Sequence, residues 1–109
     1  MLMLKKLKPK RKPHMGSSKE TTLEINLSAL AHNFNFLKSR LQKEIRFLGV
    51  VKAFAYGSDM VAVAQKLEQL GADYLAVAYT QEGILLREAG ITLPILVLHP
   101  QPVNFGEII

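Results

Sequence analysis

What most limits the fold of this 109-residue chain is a rhythm: a strand-like apolar run followed by a helical pattern, with strand starts near residues 23, 47, 74 and 95. Alternation of strand and helix calls for a parallel sheet, because two parallel neighbours need a crossover and a helix supplies it. Tyr74-Leu75-Ala76-Val77-Ala78 and Ile95-Leu96-Val97-Leu98 are apolar throughout, as strands covered on both faces are. The rhythm suits a (β/α)8 barrel or a doubly wound sheet. A barrel needs eight units and roughly 250 residues, so on the barrel reading these four units would be a partial (β/α)8 barrel, truncated after about four strands, and the rhythm alone leaves the doubly wound sheet open.

The elements follow from spacing. Thr22–Leu27 alternates polar and apolar residues and reads as a first, half-buried strand. Ser28 is placed to cap a helix whose buried stripe is Leu30, Phe34, Leu37 and Leu41, leaving Lys38, Arg40 and Lys43 solvated. A second strand spans about Phe47–Val51. Asp59 then caps a helix with Met60, Val63, Ala64 and Leu67 on one face, stopped by Gly71. Thr80 is placed to cap a third helix through about Ala89, with Ile84 and Leu85 inward and Gly90 at its end. Pro100 and Pro102 break the chain after the fourth strand, and Asn104 with Glu107 opens a further helix in which the sequence stops.

Charge divides the chain in two. Residues 1–20 carry seven basic residues against Glu20 alone, a net of +6, whereas residues 21–109 carry seven basic and eight acidic residues, a net of −1. The first segment, interrupted by Pro9 and Pro13, is expected to be a basic disordered leader or linker. Residues 21–109 form the globular part. A nucleic-acid arm on residues 4–12 is disfavoured because no aromatic or glycine residues interleave with the charge. No stretch nears the roughly 20 apolar residues that span a bilayer. There is no cysteine, and His14, His32 and His99 are not at ligand spacing, so neither a disulfide scaffold nor a metal site is expected. Cytoplasmic residence is the default.

Within the rhythm one residue is out of place. Phe47-Leu48-Gly49-Val50-Val51 runs apolar into Lys52, followed by Ala53-Phe54-Ala55-Tyr56-Gly57. Functional groups of parallel βα folds gather where strands end. A lysine there either snorkels to water or, desolvated against Val50, Val51 and Phe54, offers a neutral amine for attack on an aldehyde. Tyr56 can hydrogen-bond a phosphate and Gly57 allows close approach of backbone to an anion. The pattern alone leaves both readings of Lys52 open.

Val51-Lys52-Ala53-Phe54-Ala55-Tyr56-Gly57 resembles the pyridoxal-phosphate attachment signature of alanine racemases, V-K-A-N-A-Y-G-H-G. Leu23–Leu30 with His32-Asn33 resembles the family's opening strand and helix. Gly71–Ala78, Glu82, Leu86-Arg87, Ala89-Gly90-Ile91 and Pro94–Leu98 resemble its next two units, so the likeness covers about residues 21–109. It implies an N-terminal portion of the pyridoxal-phosphate-binding barrel. Lys52 would carry the cofactor covalently and, once freed by substrate, act as one of two bases at Cα in the interconversion of L- and D-alanine for peptidoglycan. Tyr56 would bind the cofactor phosphate.

The family's opposite-face base is a tyrosine of a C-terminal β domain donated across a homodimer, and an arginine later in the barrel contacts the pyridine nitrogen. The chain ends before both, and Tyr74 and Tyr79 do not match that tyrosine, so the fragment is expected to be inactive alone. Phe54 replaces the usual asparagine and Ser58-Asp59 the usual His-Gly, a version that resembles the racemase module fused behind a muramoyl-tripeptide D-alanyl-D-alanine ligase. Alternatives are a non-catalytic pyridoxal-phosphate carrier of related barrel, or another enzyme of that barrel group, an amino acid decarboxylase or D-amino acid dehydratase. Ala55-Tyr56-Gly57 after the lysine argues against each.

Overall fold

Strands apolar on both faces need neighbours on every side, and the computed structural model, which describes residues 21–108, shows where they come from. Strands β1 (Leu48–Val50), β2 (Tyr74–Val77) and β3 (Ile95–Val97) form a parallel sheet in the order β1-β2-β3. Gly49 pairs with Leu75, and Ala76 with Leu96. Residues 1–20, with the expected basic leader, lie outside the described residues.

Alternation along the strands sorts their side chains into two faces. One face carries Gly49, Val51, Leu75 and Val77, and the helices pack on it: Leu75 and Val77 are fully buried in a core with Val63, Leu67 and Leu86. A Cβ added to Gly49 would lie 2.7 Å from Leu67 Cδ1, so a side chain there would force the Leu67 side chain to move. The other face carries Leu48 and Leu96, which are 40% and 50% exposed. Leu48 and Leu96 are thus partly uncovered, although Ala76 on the same face is buried.

Helix α1 (Leu27–Ser39) starts earlier than the sequence suggests. The Asn26 side chain, rather than Ser28, accepts the first-turn bond from Ala29 N–H at 3.0 Å. The expected first strand is thereby shortened to a single bridge residue, Ile25. Leu30 and Phe34 are buried as the stripe requires, whereas Leu37 and Leu41 are exposed. Lys38 is more than solvated: its ammonium donates to Gly71 C=O at 2.8 Å and lies 5.5 Å from the Phe34 ring centroid, tying α1 to the end of the next long helix.

Helix α3 (Met60–Leu70) matches its pattern, with Met60, Val63, Ala64 and Leu67 buried, Asp59 capping Ala62 N–H, and Gly71 at φ 89° in the left-handed conformation that glycine adopts without strain. Helix α4 (Thr80–Glu88) differs in phase. Its buried positions are Thr80, Glu82, Gly83 and Leu86, and Leu85 is exposed. The inward face is set by the fully buried Leu86 and the buried Glu82, and beside them a Cβ at Gly83 would meet Ile95 and Val77 at ordinary contact distances of 3.7 and 3.8 Å. After β3 the chain makes a 3₁₀ turn over Pro102–Asn104 and a short α5 (Phe105–Ile108), with Asn104 Nδ2 donating to Glu107 at 2.9 Å. Between β1 and α3 lies α2 (Lys52–Gly57), which carries the candidate site.

Candidate functional site

The parallel ladder ends abruptly beside Lys52. Val51 is buried and its N–H still donates to Ala76 C=O at 2.9 Å; Lys52 is the next residue, partly buried, where β1 gives way to α2. Its ammonium makes no ion pair or hydrogen bond among the described residues. The sequence therefore places Lys52 at the strand end, and the structure leaves its Nζ available.

The segment that follows is left-handed. Ala53, Phe54, Ala55 and Tyr56 have φ of 51°, 53°, 54° and 59° and ψ between 41° and 47°. For residues with a Cβ this conformation costs about 1–2 kcal/mol each relative to a right-handed turn. Four in succession require the surroundings to hold them. Ala55 N–H donates to Val51 C=O at 2.9 Å, and the Ala55 methyl is fully buried. Ser58 Oγ donates to Ala55 C=O at 2.7 Å. Gly57, at φ 85°, continues the left-handed path with open space where a Cβ would be, so its backbone conformation, not crowding, explains the glycine. Ser58 closes the turn and Asp59 caps α3, which accounts physically for this pair.

The remaining restraint comes from Glu82. It stands three residues beyond Tyr79, the N-cap of α4, and is buried. One carboxylate oxygen accepts from Ala53 N–H at 2.7 Å; the other accepts from Ala78 and Tyr79 N–H, both at 2.9 Å. A single side chain thus joins the exit of β1 to the exit of β2. The third strand follows in register, His99 N–H donating to Ala78 C=O at 2.8 Å, and the Tyr79 and His99 rings stand 6.0 Å apart on the same rim.

Lys52 and Tyr56 belong to this one segment, as their spacing requires. Tyr56 is 52% exposed. Phe54 is 60% exposed, so it does not wall off Lys52; the left-handed turn carries its ring outward. An apolar cavity of about 170 Å³, lined by Phe34, Leu37, Phe47 and Leu67, lies between α1, α3 and β1 and includes neither Lys52 nor Tyr56. Reading the sequence missed the handedness, for which Ala-Phe-Ala-Tyr carries no signal. It also missed the role of Glu82, for which an acidic residue at the third helical position was the available signal.

The same segments are shared with known proteins. The family described as alanine racemase, N-terminal domain, matches residues 25–108. Alanine racemase of Citrifermentans bemidjiense is 47% identical over 81 residues, 74% of this chain and 21% of the relative. An amino-acid racemase of Enterococcus faecalis is 44% identical over 96 residues, 88% of this chain and 14% of the relative. Among solved structures, alanine racemase of Clostridium difficile 630 superposes with a TM-score of 0.73 at 51% identity, over 75% of this chain and 22% of that one. Alanine racemase of Bacillus anthracis with bound L-Ala-P gives a TM-score of 0.69 at 40% identity, over the same shares. This chain spans about a fifth of the length of most of these relatives, and its three-stranded sheet is part of their N-terminal barrel. With most of its described residues matched by one family and its fold shared with that family's solved members, the chain belongs to the alanine racemase N-terminal domain family.

Proposed function

We propose that residues 21–109 are the pyridoxal-phosphate-binding part of an alanine racemase and that Lys52 is the residue that holds the cofactor. The observation carrying this reading is the unpaired Lys52 amine at the end of a buried strand, against a strained segment that presents Tyr56. The donor set fits such a group: a primary amine with no competing carboxylate partner, an exposed phenol four residues on, and a glycine whose backbone is open to an anion. When bound, pyridoxal phosphate supplies the electron sink that makes an amino acid's Cα–H acidic. Lys52 then holds or moves the proton at Cα on one face of the substrate. Tyr56 donates its hydroxyl to the phosphate and fixes the register of the cofactor.

Alanine as substrate is supported by the names of the relatives and by the L-Ala-P bound to the Bacillus anthracis protein. The same names favour racemisation over a carrier, decarboxylase or dehydratase. Exchange between L and D forms needs a base on each face, and Lys52 serves one. By itself the 109-residue chain is therefore expected to take up cofactor without racemising alanine. The complete enzyme would act as a homodimer in the cytoplasm, supplying D-alanine to peptidoglycan, with residues 1–20 as a basic leader or linker. The test is an absorption spectrum with pyridoxal phosphate. A visible band that disappears in Lys52→Ala supports the reading; an identical band in both proteins overturns it.

A further inference from the structure

We propose that Glu82 is a positioning residue for Lys52 and Tyr56, acting by bridging the exits of β1 and β2; this rests on the cofactor reading above. The left-handed path begins at Ala53, immediately after Lys52, and the Ala53 N–H is held at 2.7 Å by Glu82. A right-handed continuation would turn that N–H elsewhere and carry Tyr56 with it. The bridge has two anchors just past β2, Ala78 and Tyr79 N–H, so the carboxylate cannot follow Ala53 if the turn relaxes without giving up bonds at its other end.

A carboxylate is the group that can do this, since both oxygens act only as acceptors and all three partners are donors. A carboxamide of the same shape keeps one acceptor and turns an NH₂ toward donors. Glu82→Gln therefore preserves volume and breaks one end of the bridge. The comparison variant is Asp73→Asn. Asp73 also bridges β1 and β2, accepting from Phe47 N–H at 2.7 Å, but at the opposite end of the strands from Lys52. Asp73→Asn keeps an oxygen that can accept from Phe47 N–H, so it controls for the loss of a carboxylate charge at the edge of the same two strands.

The experiment combines amide hydrogen exchange with borohydride trapping of pyridoxal phosphate and peptide mapping, in the wild-type chain and both variants. In the wild type the Ala53, Ala78 and Tyr79 amides are expected to be protected together, and an unprotected Ala53 amide overturns the proposal even if Glu82→Gln does not fold. In Glu82→Gln, Ala53 exchange is expected to rise by roughly tenfold or more, with a matching loss of Lys52 adduct at limiting cofactor. Asp73→Asn is expected to leave both unchanged. Equal adduct and equal Ala53 exchange in wild type and Glu82→Gln overturn the bridge while supporting the cofactor reading. Faster Ala53 exchange in Glu82→Gln, with no Lys52 adduct in any chain, overturns the cofactor reading while supporting the bridge.

Discussion

The two ends of the sheet use polar side chains for opposite purposes. At the end where strands begin, Lys38 donates to Gly71 C=O, Asp73 accepts from Phe47 N–H, Glu68 accepts from the Thr92 hydroxyl and from Thr92 and Leu93 N–H, and Arg87 donates to the carbonyls of Ile91 and Leu93. Each closes a helix-to-strand loop, leaving no αL residue there but glycine. At the end where strands finish, Glu82 accepts from Ala53 N–H, the first of four consecutive left-handed residues, and Lys52 beside them makes no ion pair or hydrogen bond among the described residues. One end spends its charged groups on closing loops; the other combines a left-handed backbone with the lysine proposed to hold the cofactor. In a parallel βα fold this division follows from the helices, which return the chain to one end and leave the other to longer excursions.

The comparison can be broken most severely at the strand that joins both ends. Leu75→Ala removes a fully buried side chain between α3 and the sheet and is expected to cost about 2–5 kcal/mol, measured by urea denaturation. A loss under 1 kcal/mol would mean that the two ends are not built on a common core. A smaller effect is expected from Asp73→Ala, which strands the Phe47 N–H for about 1–3 kcal/mol. Its signature is lower stability with cofactor trapping at Lys52 intact when both are measured under folding conditions.

Glycine sharpens the contrast further, because it has opposite effects at the two kinds of backbone. Ala53→Gly removes a Cβ from a left-handed position and is expected to raise stability by about 0.5–1 kcal/mol. Ala62→Gly in the right-handed α3 should lower it by about as much. Thermal unfolding of the two variants should shift in opposite directions, and shifts of the same sign would contradict the left-handed turn.

That turn also marks where the sequence stopped being informative. The α3 helix was legible because Asp59, the i, i+3, i+4, i+7 apolar residues and Gly71 all agree, and β2 and β3 were legible as uninterrupted apolar runs. The start of α1 was not, because Asn26 and Ser28 are both competent caps and only packing chooses between them. The inward face of α4 is not legible because two of its buried positions are Thr80 and Glu82, polar residues that a hydrophobic pattern assigns to the outside. Lys52 and Tyr56 are candidates by position and resemblance. The backbone that presents them is fixed by Glu82, 30 residues after Lys52, and a long-range restraint leaves no local trace.

The smallest effect is a pH dependence at the loop-closing end. The Thr92 hydroxyl, first among the groups bonding Glu68, and then the Thr92 N–H hold its carboxyl below the ordinary value. A carboxyl lowered on folding contributes stability that is complete above its unfolded pKa and is lost as pH falls through its folded one. Urea midpoints should therefore decline on acidification through and below the ordinary carboxylate range, and decline less steeply in Glu68→Gln. Equal slopes would remove Glu68 from the account.

Whether Lys52 holds the cofactor is read by reductive trapping. The wild-type chain is incubated with pyridoxal phosphate below saturation, reduced with borohydride, digested and mapped by mass. The account predicts a single dominant adduct on Lys52 despite the many other lysines, those of residues 1–20 included. Adduct spread over the leader and surface lysines, with Lys52 no more modified than Lys66, would contradict it.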